Sequence, residues 1–284
     1  MNSKKNTSSI VLQLLDKISK KCFDSIQCYS PQLFVKTSLE KDNIKPVPSA
    51  TGVLINVQGN KFLITAGHFL EETEAENIGI MINNKFYILN GDLKYISPSS
   101  GEMENKLDVG VWKLESEVIS SLETKYSFLP FDKIDFNHTI SLKPEYLIVG
   151  YPWKMTVEKH SRKTWEVSPF IFLTDKADNS LYKRLNFQEH SNLLLHYREK
   201  KVRNTTSGFV QKNKSPEGIS GCGVWHIPIP DILTDFSNFK LVGIITEQDK
   251  SKTLLISTRI HIISEILRNH FKLKLPVSNI TRLV

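Results

Sequence analysis

Three short segments of this chain bring together the residue types that acyl transfer requires. Thr65-Ala66-Gly67-His68 closes the apolar run Phe62-Leu63-Ile64, and Leu107-Asp108-Val109-Gly110-Val111-Trp112 opens another such run. Gly218-Ile219-Ser220-Gly221-Cys222-Gly223 places a hydroxyl among glycines. Asp108 follows His68 by 40 positions, and Ser220 follows Asp108 by 112. A serine hydroxyl is a weak nucleophile near neutral pH, so it needs a base to take its proton. An imidazole base in turn needs a carboxylate to fix its tautomer. His68, Asp108 and Ser220 supply these three groups, each at the end of a strand-like stretch.

The stretches that must position them are short and rich in β-branched residues. Strands are expected over residues 51–57, 61–65, 78–82, 85–89 and 109–114, with Gly59-Asn60 and Asn83-Asn84 as hairpin turns. A second set is expected over residues 146–149, 170–174, 192–197, 222–226, 240–246 and 253–257. This spacing suggests barrels rather than βαβ units. Residues 41–49, with Pro46 and Pro48, read as a loop, and residues 115–139 as a connector. Two helices flank the strands. Val11, Leu14, Leu15, Ile18, Cys22 and Ile26 recur at helical spacing after a capping Ser8 or Ser9, and Ile263, Ile266, Leu267 and Phe271 share one face of residues 259–271. The stripe of the first helix is expected to pack on the main body.

Together these features resemble the trypsin-like serine peptidases of the chymotrypsin fold, over roughly residues 50–270. That family ends a strand of its first barrel with Thr-Ala-Ala-His, begins another with Asp-Ile-Ala-Leu and holds its serine in Gly-x-Ser-Gly. The strand Leu241-Val242-Gly243-Ile244-Ile245 and the closing helix follow where the family has them. Each motif alone is weak; their order and spacing make the signal. The resemblance implies an all-β architecture of two antiparallel six-stranded barrels with an N-terminal amphipathic helix and a C-terminal helix. It divides the chain into a helical extension (1–28), a barrel with His68 and Asp108 (29–134), and a barrel with Ser220 and the closing helix (135–284).

The resemblance also implies roles. Ser220 attacks a carbonyl, His68 moves the proton, Asp108 orients His68, and the backbone N–H groups of Gly218 and Ser220 stabilise the oxyanion. Lys214, six positions before Ser220, falls at the base of the primary specificity pocket, with Thr246, Glu247 and Gln248 on the opposite wall. A lysine there argues against cleavage after Lys or Arg. The function implied is a serine endopeptidase working through an acyl-enzyme, with a protein or peptide substrate. The alternative is a catalytically silent scaffold that binds a protein partner.

Departures narrow the type. Phe69 stands where secreted members place a cysteine, and Ile219 where they place an aspartate that pairs with a new N-terminus. No Ile-Val-Gly-Gly start is present, so the loop before Ser220 must be ordered in another way, permanently or by an activating protein partner. The resemblance is closer to intracellular bacterial members.

Composition excludes other classes. With 40% hydrophobic and 24% charged residues the chain reads as an ordinary globular protein, and no apolar run reaches the ~20 residues a membrane-spanning helix needs. Cys22, Cys28 and Cys222 have no metal-ligand or redox spacing, and the 8 histidines form no ligand pair, so no metal or cofactor is expected. An odd set of thiols and the lack of a signal-peptide pattern point to the cytoplasm. The net charge of +7 is gathered at residues 159–163, 198–203 and 212–214 without interleaved aromatics, so no nucleic-acid partner is expected.

Overall fold

The computed structural model describes residues 2–38, 44–91, 93–96, 107–159, 164–197, 216–249, 251 and 253–280. Helix α1 (Asn2–Ile26) leads into a first group of strands: β1 (Gln32–Ser38), β2 (Ile44–Thr51), β3 (Val53–Val57), β4 (Asn60–Thr65), β5 (Ile78–Ile82), β6 (Lys85–Ile88), β7 (Leu93–Ile96), β8 (Gly110–Lys113) and β9 (Leu129–Pro130). Helices α2 (Gly67–Glu72) and α3 (Ser116–Leu122) lie among them. The second group holds β10 (Tyr146–Gly150), β11 (Thr156–Lys159), β12 (Thr164–Val167), β13 (Phe170–Thr174), β14 (Asn192–His196), β15 (Gly223–His226), β16 (Lys240–Gln248) and β17 (Leu254–Arg259). It also contains helices α4 (Asn179–Leu185) and α5 (Ile229–Ile232), and α6 (Ile260–Asn269) closes it.

The first group forms two sheets, in the orders β2-β1-β5-β6 and β7-β8-β4-β3-β9. They share a corner. β2 runs into β3 through Gly52, so one stretch pairs with β1 on one side of the bend and with β4 on the other. Between β6 and β7, the Glu115 N–H donates to the Asn90 carbonyl. The second group forms a six-stranded sheet in the order β13-β10-β15-β16-β17-β14, with β11 and β12 as a separate two-stranded hairpin. Its edges meet beyond β13: the His196 N–H donates to Asp175 O at 3.0 Å, and the Ala177 N–H to Leu194 O at 2.8 Å. Closing a sheet on itself removes the exposed edges that invite unwanted pairing.

The expected turn Asn83-Asn84 is present, with φ of 49° and 63° at its two residues and Ile82 paired to Lys85. The other hairpin centres on Gln58-Gly59, one residue earlier than expected, with φ of 53° and 79°. Residues 44–51 are not a loop. They form an edge strand, where Pro46 and Pro48 sit without breaking the ladder because the outer side of an edge strand needs no N–H.

Ile18, Cys22 and Ile26 of α1 are fully buried, in a core that also contains Val53 and Phe62 of the first barrel and Leu147, Trp225 and Leu241 of the second. α6 joins this core through Ile260, Ile263 and Leu267. The stripe of α1 therefore packs between the barrels from Leu15 to Ile26, while Leu14 is exposed. Among the described residues, no helix is long and apolar enough to cross a membrane.

Candidate active site

His68 and Asp108 come together at the rim of the first barrel. His68 sits in the first turn of α2, directly after β4, and Asp108 lies two residues before β8, the neighbour of β4. The His68 Nδ1–H donates to Asp108 Oδ2 at 2.6 Å, and the His68 backbone N–H donates to Asp108 Oδ1 at 2.8 Å. One carboxylate thus fixes both the backbone and the ring of the histidine. That bond leaves Nε2 as the free ring nitrogen, and with 36% of its side chain exposed the imidazole can be reached from outside.

The hydrogen bond from Asp108 raises the pKa of His68 above its ordinary 6.5. Burial works in the opposite direction, while the charges of Asp108, Glu72 and Glu247 add to the rise. Glu247 belongs to the second barrel, so this influence also records how close the two halves lie at the site.

Gly67 explains itself at this point. A methyl group on it would stand 3.0 Å from both Asp108 Oδ1 and the Val109 nitrogen. The glycine lets α2 approach the strand that carries Asp108.

The Ser220 loop is held against the first barrel by its backbone. The Thr51 N–H donates to the Ser220 carbonyl at 3.0 Å, and Thr51 Oγ1 donates to the Gly218 carbonyl at 3.3 Å. Thr65, three residues before His68, donates through Oγ1 to the Thr51 carbonyl at 2.8 Å. Behind the loop, the Gly221 N–H donates to Ile245 O at 2.7 Å. Ser220 is therefore docked on Thr51, next to the strand that leads into His68. No hydrogen bond joins Ser220 Oγ to His68 in this structure; such contacts commonly tighten only when substrate is bound.

Two N–H groups of this loop point to unused donor capacity. Among the described residues, neither the Gly218 N–H nor the Ser220 N–H has an acceptor. Their peptide planes are fixed from the carbonyl side: the Trp153 N–H donates to Glu217 O at 3.0 Å, and the Cys222 N–H to Ile219 O at 2.9 Å. Gly218 has φ of 92°, which only glycine adopts at little cost. Ile219 is buried in the second barrel's core, and fully burying such a side chain is worth about 1.5–3 kcal/mol. The loop is thus ordered by an apolar anchor and backbone bonds rather than by an ion pair with an N-terminus. Sequence reading gave no sign of Trp153, because it acts through a backbone N–H.

On the wall expected for substrate, Thr246 is buried with its hydroxyl on Ile256 O, Glu247 is exposed, and Gln248 is half-buried. β16 pairs with β15 as far as Ile244, and beyond Ile245 it has no β15 partner among the described residues. Lys214 lies outside the described residues, as do the basic segments at 198–203 and 212–214. Cys22, Cys28 and Cys222 are free thiols. Cys222 is buried against Gly150, and burial pushes its pKa up; burial likewise raises the pKa of Cys22, to about 12. His138 and His226 are packed into the second barrel, with His138 Nε2 and the Tyr146 hydroxyl 3.0 Å apart. Among the described residues no His, Cys, Asp and Glu cluster could hold a metal ion.

Solved structures place this architecture among known folds. The structure of GrC is similar at 10% identity and a TM-score of 0.53, covering 87% of this chain and 95% of that chain. The structure of HL collagenase is similar at 13% identity and a TM-score of 0.53, covering 87% of this chain and 94% of that one. The chain thus has the chymotrypsin fold, a scaffold on which serine proteases are built. No family model and no curated protein sequence matches it.

Proposed function

We propose that the chain is a serine endopeptidase of the intracellular bacterial type, acting in the cytoplasm on protein or peptide substrates. The observation that carries this reading is the double grip of Asp108 on His68, together with a serine loop, docked on Thr51, whose Gly218 and Ser220 N–H groups have no acceptor among the described residues. His68 Nε2 takes the proton of Ser220 Oγ as the oxygen attacks the scissile carbonyl. The developing oxyanion is held by the N–H groups of Gly218 and Ser220, each typically worth about 10²–10³-fold in rate. His68 then passes its proton to the leaving amine, and the C–N bond breaks to give an acyl-Ser220. Water, deprotonated by His68, releases the acid and restores the serine.

Beyond Ile245, β16 has no further β15 partner among the described residues, which supports binding of an extended peptide by main-chain pairing near Thr246 and Gln248. Lys214 at the base of the pocket would disfavour basic side chains. The three free thiols support an intracellular location.

The test is labelling with a fluorophosphonate. Covalent modification at Ser220, lost in His68→Ala, is expected. Failure to label folded protein would sink the enzymatic reading and leave the silent, partner-binding scaffold in its place.

A further inference from the structure

Every polar group of Thr51 is used at the junction of the two barrels. Its N–H donates to the Ser220 carbonyl at 3.0 Å. Its hydroxyl accepts from the Tyr151 N–H at 3.0 Å and lies 3.3 Å from the Gly218 carbonyl. Its own carbonyl accepts from Thr65 Oγ1 at 2.8 Å. Thr51 and Thr65 are both fully buried. The fit is close: a methyl group on Gly221 would stand 2.1 Å from the Thr51 carbonyl oxygen and from Thr65 Oγ1.

The neighbours of the hydroxyl set its direction. A hydroxyl has one proton to give, and a backbone N–H can only donate. Tyr151 therefore occupies an acceptor position on Oγ1, and the hydroxyl proton turns to the Gly218 carbonyl. Tyr151 is itself held in place by Gln32, whose Nε2 donates to the Tyr151 carbonyl at 3.3 Å and to Thr156 Oγ1 at 2.8 Å.

That direction bears on the loop because Gly218 is a weak point in it. With φ of 92° and no Cβ, the peptides on either side of Gly218 turn at little cost unless something outside holds them. The carbonyls of Glu217, Gly218, Ile219 and Ser220 are all engaged. Trp153 and Cys222 supply the bonds to Glu217 and Ile219 from the second barrel, and Thr51 supplies those to Gly218 and Ser220. Of these three partners only Thr51 belongs to the first barrel, one hydrogen bond away from the strand that leads into His68.

We infer that Thr51 is a positioning residue, whose hydroxyl and N–H set the Gly218 and Ser220 peptides in register with His68. Being buried, it acts through the loop and not on substrate. Its effect on rate rests on the peptidase reading above; its hold on the loop does not.

Two variants of the full chain test this. Thr51→Val keeps the shape of the side chain and removes the hydroxyl, whereas Thr51→Ser keeps the hydroxyl. With a peptide substrate, Thr51→Val should lower kcat by about 10²-fold, the scale of a small misplacement in such a site, with KM within about twofold. Thr51→Ser should stay within a few-fold of the parent. The apparent pKa of kcat/KM should match the parent's in both, because Asp108 still holds His68. Hydrogen exchange followed by mass spectrometry gives a measure that needs no catalysis. The amides of Ile219 and Gly221, bonded to Pro216 O and Ile245 O, should exchange about tenfold faster in Thr51→Val and at close to the parent rate in Thr51→Ser. Thr51→Ala, which also lacks the hydroxyl, serves where the valine variant does not fold.

Loop exchange in Thr51→Val equal to the parent's overturns the inference, as does a serine variant that behaves like the valine one. Faster exchange with kcat unchanged overturns the effect on rate. A parent that cleaves no peptide but shows the expected exchange pattern would refute the peptidase reading and leave the hold on the loop standing.

Discussion

The Trp153 backbone N–H donates to the Glu217 carbonyl at 3.0 Å, and in doing so orients the peptide whose N–H belongs to Gly218. Lys154 reinforces the contact by pairing with the Glu217 carboxylate at 2.7 Å. The short turn that holds Trp153 and Lys154 thus grips both the backbone and the side chain of Glu217.

Trp153→Pro isolates that bond, because proline lacks the N–H yet suits the start of the short 3₁₀ turn Trp153–Met155. Loss of about 10²–10³-fold in kcat is expected, the cost of one oxyanion donor. Trp153→Ala, which keeps the N–H, should stay within a few-fold of the parent. Equal activity of the two variants, at matched circular dichroism, would show that the loop holds itself.

Ser220→Ala and His68→Ala should each abolish peptide hydrolysis while leaving the thermal transition close to that of the parent. The pair should be scarcely worse than either change alone, since the groups act as a unit. Rates that fall additively would separate their roles.

The pH dependence follows from the raised pKa of His68. The base must be neutral to accept from Ser220, so kcat/KM should climb through an apparent pKa above the ordinary 6.5 of histidine. Asp108→Asn removes the largest cause of the rise, so the residual activity should climb at lower pH than in the parent. A limb that shifts upward in that variant would contradict the assignment.

Gly67→Ala should reduce kcat by about tenfold, since a methyl 3.0 Å from Asp108 Oδ1 displaces the carboxylate and small misplacements in such sites are costly. A crystal structure of the variant would show whether Asp108 or α2 has moved. Full activity with Asp108 unmoved would mean that the contact is not critical.

Much of this was readable from the chain because it is encoded locally. The β-branched runs at β3, β4, β10 and β16 announce themselves, and His68, Asp108 and Ser220 each sit in a short motif beside one of the barrel strands. Elements that depend on their neighbours were hidden. β1 has the mixed pattern Gln32-Leu33-Phe34-Val35-Lys36-Thr37-Ser38, and β2 carries two prolines that look like loop until its edge position is known. The hairpin of β11 and β12 and the short α4 were missed for the same reason. The Gln58-Gly59 turn slipped by one residue because Gly59-Asn60 offers an equally good local signature. Glu217, Trp153 and Gln32 contribute through backbone groups or buried amides, which leave no mark in a sequence.

The placement of α1 has a consequence for how the chain is made. Ile18, Cys22 and Ile26 are sheltered by residues such as Leu147 and Trp225. Those residues leave the ribosome long after the helix. At about 5–20 residues per second, synthesis from Ile26 to Leu147 takes roughly 6–24 s, during which the apolar stripe lacks the cover that the second barrel supplies. The first barrel can close in that interval, but the helix cannot be fully seated. Its docking is therefore a late event that waits on the second barrel, and until then the nascent chain presents an amphipathic segment suited to a holding chaperone.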